Sequence, residues 1–317
     1  MNLPVFDLHC DTATAMLDRD CRRHERLVRR PGHVDLERGG KLTGYVQTFA
    51  IFTSPGLDES GRFSPVQIFD AALGNFRKEL EENHRFIQQA QTPERAEKIV
   101  AEGKIAAVLS IEGTAGIDFD SGRLEELVRQ GFAMSTLTWN EQNPLAGSHI
   151  TGGGLTDRGR DYVRKAQRYG IAIDVSHLSD EAFWDIMDIT EKPISASHSN
   201  SRTVHGASRN LTDEQFLAIC QTGGVAGLNL FVPFLGEEPV TLDTVCDHVL
   251  HWLDLGGAEH IALGGDLDGC DLLPADFRGV DDYPALADAL LERGVPRQIV
   301  EDIFWNNAMR MWKKCCM

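Results

Sequence analysis

The sequence predicts an α/β fold, a single (β/α)8 TIM-like barrel spanning residues 1–317, and three observations carry that prediction. Eight short apolar runs recur along the chain, helical patterns separate them, and polar side chains with lone pairs gather at the C-terminal ends of several runs. Strands alternating with helices over this length suit a barrel, whose strand ends all open onto one face. With 317 residues and 42% hydrophobic content the chain can fill one large core, and no change of composition near its middle marks a second unit.

The runs are PVFDLH, GYVQTFAIF, IAAVLSI, FAMSTLT, IAIDVSH, PISASH, GVAGLNL and IALGGD. They are rich in Val, Ile and Ala rather than strictly alternating, as parallel strands covered on both faces are. The longest interval without such a run is 54–103. There SPVQIFDAALGNFRKELEENHRFIQQA reads as one long amphipathic helix, followed by TPERAEKIVAEG with Thr92 as N-cap and Pro93 in the first turn. TGGGLTDRGR lacks the Lys-Ser/Thr of a phosphate loop and reads as a turn before a helix. In DEQFLAICQTGG, Phe216, Ile219 and Cys220 share one face and Gly223 is the stop. TLDTVCDHVLHWLDLGG carries its stripe on Leu242, Val245, Val249 and Leu253, which leaves His248 and His251 for a solvated face. A doubly wound open sheet is the alternative fold, but no Gly-x-Gly-x-x-Gly follows the first run.

Charge narrows the partners. A formal net charge of −17 would be repelled by phosphate backbones and anionic lipid, so neither nucleic acid nor a membrane surface is an expected partner. The seven cysteines include no Cys-x-x-Cys, which argues against a zinc ribbon or redox pair and suits a reducing compartment. NLPVFDLH follows Met1 with no basic segment and long apolar stretch between, so a soluble, cytoplasmic protein is expected.

FDLHCDT ends the first run with His9 and Asp11, two residues apart and so expected on one face, with Cys10 turned away. SIEG ends the third with Glu112, DVSH the fifth with His177, SASH the sixth with His198 and GGDLDG the eighth with Asp266. In a barrel these residues converge on one cup. Three imidazoles and several carboxylates make an N/O set suited to zinc and larger than one ion needs, which points to a dinuclear centre.

These motifs, with PISASHSNSRTVHGASRNLTDEQ and YPALADALLERGVPRQIVEDIFWNNAMRMW, occur in an order that resembles the membrane dipeptidase (renal dipeptidase) family of metallo-dependent, amidohydrolase-like barrels over nearly the whole chain. The resemblance implies two divalent metal ions, zinc foremost, and dipeptide substrates, including those ending in a D-residue. By motif position, His9 and Asp11 match the ligands of one ion, His177 and His198 those of the other, and Glu112 the bridging carboxylate. Asp266 matches the aspartate that handles protons, and Arg209 the arginine that holds the substrate's terminal carboxylate.

Two features depart from the family's mammalian members: those are secreted and lipid-anchored, whereas a soluble protein is expected here, and one pocket residue differs. Trp139, in STLTWNEQNPLAG, takes the place of a substrate-contacting histidine, and His149 on the next loop is either its replacement or a plain loop residue. Homodimers are common in the family, although the sequence carries no dimer signature of its own. Two alternatives stay open: a barrel hydrolase acting on a cyclic amide, lactone or phosphoester, and a catalytically silent metal- or peptide-binding relative.

Overall fold

The computed structural model describes residues 3–18, 20–58 and 60–317. Among the described residues, nine strands form one all-parallel sheet: β1 Val5–Cys10, β2 Tyr45–Phe52, β3 Ile87–Gln89, β4 Ile105–Glu112, β5 Phe132–Thr136, β6 Ala172–Asp174, β7 Ile194–Ala196, β8 Val225–Leu228 and β9 Ile261–Leu263. Pairing of β2 with β4 and of β9 with β1 closes eight of them into a (β/α)8 barrel.

The ninth strand corrects the reading of 64–90 as one helix. Ser64 caps a helix over Pro65–Glu82 through a reciprocal pair with Gln67, and the Asn83 side chain donates to the Glu79 carbonyl where that helix stops. The chain then extends as β3. β2 takes one edge of β4 along its full length, β5 joins the other edge only from Leu109 onward, and Ile87–Gln89 pairs with Ile105 to Ala107 below it. Backbone groups on that edge would otherwise be unpaired, and this requirement overrides the helical pattern of the local sequence.

Other helix signals hold. Thr92 accepts from the Arg95 amide, and Gly223 ends Asp213–Thr222 at a φ of 78°, where a side chain would be strained. In Leu242–Asp254, however, His248 is buried rather than solvated. Its Nδ1 accepts from the Ser201 amide and its Nε2 donates to the Leu235 carbonyl, so it braces the loop beyond β7. His251 is half-buried against Asp213.

Side chains of the long strands divide between two cores. Phe6, Leu8, Val46, Ala106 and Val108 gather with Met309 and Trp312 of the helix Asn307–Cys316, whereas Val5, Tyr45, Phe49, Ala107 and Leu109 join the larger core. Glu112 keeps the phase of Ala106 and Val108. On β1 the phase changes: pairing with β2 shifts register between Asp7 and Cys10, Cys10 joins the larger core, and His9 turns towards Glu112. Among the described residues, no helix is long and apolar enough to cross a membrane.

Candidate metal centre

His9, Asp11, Glu112, His177, His198 and Asp266 come together at the C-terminal ends of the strands, all at least nine-tenths buried except the slightly more exposed Asp266. His9 lies within β1, Asp11 follows it, and Glu112 is the last residue of β4. His177, His198 and Asp266 lie two or three residues past β6, β7 and β9, and His177 and Asp266 adopt left-handed backbone, with φ of 68° and 56°. Such conformations are uncommon outside glycine and persist where surrounding contacts enforce them.

Glu112 divides its oxygens. Oε2 lies 3.1 Å from His9 Nε2, while Oε1 lies 2.9 Å from His177 Nε2 and 3.5 Å from His198 Nε2. On the first side Asp11 Oδ2 is 3.3 Å and Asp266 Oδ1 3.9 Å from His9 Nε2. Among the described residues, two groups have donor atoms close enough to share an ion: His9, Glu112 and His198, and His9, Asp11 and Asp266. Asp266 therefore lies beside His9 and Asp11, close enough to share an ion with them.

Hydrogen bonds aim these side chains. His198 Nδ1 meets the Ser197 hydroxyl at 2.6 Å, and that hydroxyl donates to Asp174 Oδ2, so the protonated nitrogen faces Ser197 and Nε2 is left as a lone pair. Asp174 also accepts from Thr136 and from the amides of Ser176 and Ser197. His177 Nδ1 lies 3.1 Å from Asn140 Oδ1. Asn229 donates to Asp266 Oδ2 at 3.0 Å. Asp7 ties β1 to the loop beyond β9 by accepting from the His9 and Gly265 amides and the Tyr283 hydroxyl.

Burial pushes the carboxyls of Asp11 and Asp266 up to about 7, with the Glu112 charge adding to the effect at both. It pushes His177 and His198 well below the usual imidazole range, so both rings are neutral. At His9 burial acts the same way, but Glu112 and Asp11 outweigh it and hold the ring well above that range. The cup thus collects lone pairs and negative charge that divalent cations would balance.

Three further observations fit such ions. Two imidazole Nε2 atoms face one another at 3.0 Å. Asp11 Oδ1 is buried without a hydrogen-bond partner. A Cβ on Gly269 would collide with the carboxylates of Asp11 and Asp266, so only glycine leaves these oxygens room.

Arg209 is 4% exposed, and its Nη1 donates to Ser199 Oγ at 2.8 Å. Its Nε and Nη2 are buried with no partner, an arrangement that costs about 1–3 kcal/mol or more per group unless something accepts from them. Trp139 packs on Phe52, with ring centroids 5.0 Å apart, and lies 6.4 Å from the His177 ring. Beside it opens a cleft of about 680 Å³ whose lining includes Thr14, Ser54, Phe63 and Glu141. His149 is close by, its ring 6.0 Å from that of His177. The sequence by itself gives no metal or catalytic signal for Asp7, Asn140, Asp174, Ser197 or Asn229. Asp7, Asn140, Asp174 and Ser197 lie inside FDLHCDT, STLTWNEQNPLAG, IDVSH and SASH, and nearness to the residues those stretches highlight is the sequence signal they carry.

Comparison with known proteins agrees with this architecture. Residues 1–316 match the model of the membrane dipeptidase family, peptidase family M19. An uncharacterised dipeptidase of Schizosaccharomyces pombe is 34% identical over 222 residues, covering 67% of this chain and 53% of its own, so the matched segment spans about half of that relative. An uncharacterised protein from the pqqA 5′ region of Klebsiella pneumoniae is 32% identical over 66% of this chain and 82% of its own. The crystal structure of dipeptidase AC, a metallo peptidase, is 25% identical and superposes with a TM-score of 0.86 over 99% of both chains. A metallo peptidase from Rhodobacter sphaeroides, liganded with a phosphinate mimic of the dipeptide L-Ala-D-Ala, has the same fold, with 23% identity, a TM-score of 0.87 and coverage of 99% of this chain and 100% of its own. By this match over nearly its whole length, the chain belongs to the membrane dipeptidase family, peptidase family M19.

Proposed function

We propose that this protein is a dipeptidase that works with two divalent metal ions, zinc foremost, and accepts dipeptides that include a C-terminal D-residue. The division of Glu112 between His9 on one oxygen and the His177–His198 pair on the other carries the two-ion reading. His9 and Asp11 would hold one ion, His177 and His198 the other, and Glu112 both. Bound there, such ions would polarise the scissile carbonyl and make water nucleophilic at neutral pH.

The remaining work falls to the chain's own side chains. Arg209 presents two unpartnered N–H groups to the substrate's terminal carboxylate, and a planar guanidinium can pair with it through two bonds. Asp266, held by Asn229 through one oxygen, has its other oxygen towards the cup and would carry a proton to the leaving amine. Trp139 would form a wall of the side-chain space that continues into the adjacent cleft. The ligand of the Rhodobacter sphaeroides structure, a mimic of L-Ala-D-Ala, supports the inclusion of C-terminal D-residues.

The test is elemental analysis after zinc saturation together with turnover of matched L,L and L,D dipeptides. Two ions per chain and cleavage of both series are expected. At most one ion would overturn the dinuclear reading, and cleavage of lactones or cyclic amides in preference to dipeptides would overturn the substrate class.

A further inference from the structure

Asn140, four residues past β5, holds two imidazoles with one atom. Its Oδ1 lies 3.1 Å from His177 Nδ1 and 3.0 Å from His149 Nε2. An amide oxygen has lone pairs and no proton, so both rings must present an N–H to it. The other nitrogen of each ring is then an acceptor. For His177 that nitrogen is Nε2, which faces Glu112 and His198. For His149 it is Nδ1, 3.0 Å from the Ser208 hydroxyl. Ser208 precedes Arg209, and its carbonyl accepts from Arg202, which is paired through two bonds with Asp180. The far end of the relay is therefore braced.

We propose that Asn140 and His149 are positioning residues for the metal centre. Asn140 selects the His177 tautomer whose Nε2 lone pair points into the cup, and His149, braced by Ser208, holds the Asn140 side chain in place beside that ring. Were that amide reversed, its NH2 group would face His177 Nδ1 and place the ring proton on Nε2, where it would exclude a cation. His149, bonded to the same oxygen and to Ser208, ties the Asn140 side chain to the far loop and so keeps it beside His177. This inference rests on the two-ion reading above.

Two substitutions at one position separate an acceptor from a mere space-filler. Asn140→Asp keeps the oxygen and cannot present an N–H; Asn140→Leu keeps the approximate size and removes both. Zinc affinities are read by stepwise competition with a chromophoric chelator, and ligand geometry by the visible bands of the Co2+-loaded protein. The Leu variant is expected to weaken the second ion by about 10–100-fold and to alter the bands, as loss of a ligand's outer hydrogen-bond partner typically does, while the Asp variant stays within about threefold of the native protein.

A Leu variant equal to the native protein, or an Asp variant as damaged as Leu, overturns the proposal. If the Leu variant does not fold, the half-buried His149→Phe decides: a loss of about 3–10-fold is expected, a fraction of the direct partner's effect, and unchanged affinity overturns it. Uptake of fewer than two ions by the native protein would overturn the two-ion reading and this inference with it, whereas native uptake of two ions with unaltered variants overturns the inference alone.

Discussion

His9 and Glu112 stand on strands of six and eight residues, whereas His177 and His198 stand beyond strands of three. On the first side the backbone ladder does most of the placing: β2 pairs with β4 residue for residue up to Glu112. On the second side the ladder ends before His177 and His198. There Asp174, Ser197 and Asn140 hold the rings through side-chain hydrogen bonds, and His248 supports the loop that follows. One half of the cup is positioned by strands and the other by a polar network, so the two halves should fail in different ways.

The largest effect is expected at the residue they share. Glu112→Gln should remove both ions at ordinary zinc concentrations and lower turnover by more than the ~10²–10⁴-fold worth of a single acid–base group. Loss of only one ion, by elemental analysis, would show that the halves are independent. Next, Asp266→Asn should lower kcat by about 10²–10⁴-fold with little change in KM. Metal content should stay near native, and loss of an ion would make Asp266 a ligand of the first half.

Arg209→Ala probes substrate holding without touching either half. Loss of a hydrogen-bonded charge is worth about 1.5–3 kcal/mol, so dipeptide turnover should fall accordingly, and turnover of an amide without a free carboxylate much less. Equal losses would make Arg209 structural. Asp174→Asn and Asp7→Asn compare the halves directly. The first should weaken the ion at His198 by about 10–100-fold, while the second should lower thermal stability by about 1–3 kcal/mol and keep both ions. Equal loss of ion affinity in the two variants would break the comparison.

The smallest effect concerns acid. Burial holds His248 at about 4, below the 6.5 of a free imidazole, so the unfolded chain takes up its proton first on acidification. Its contribution to stability is complete above pH 6.5 and is lost progressively as the pH falls to 4. Denaturant titrations across that window should show a shallower decline in His248→Gln than in the native protein, and identical slopes would remove His248 from the acid response.

Legibility in the sequence followed the same division. Glu112 and the other strand-end residues could be located because apolar runs announce strands and polar residues closing them stand out. The pairing of His9 with Asp11 was expected from a period of two, yet the register shift before Cys10 is what turns His9 away from the side that Asp7 occupies. No local pattern announces that shift. Asn140 and Asn229 are not legible, because an Asn in a loop or beside a strand end looks like turn chemistry until its partner, tens of residues away, is known. The helical stripe puts His248 on a solvated face, and the neighbours of IQQ favour a helix. In both cases a distant backbone group decided otherwise.

The sequence by itself determined the alternation of strands and helices, the acidic balance, and which residue types end the strands, because these depend on patterns a few residues long. Tertiary structure alone decided which oxygen of Glu112 faces which histidine, that His177 and Asp266 adopt left-handed backbone, and that two N–H groups of Arg209 are buried without a partner. Those facts arise where strands distant in sequence end side by side. Their physical origin is barrel closure, which brings charges and lone pairs from five strand ends into one buried volume and leaves hydrogen bonds between loops to set how each is aimed.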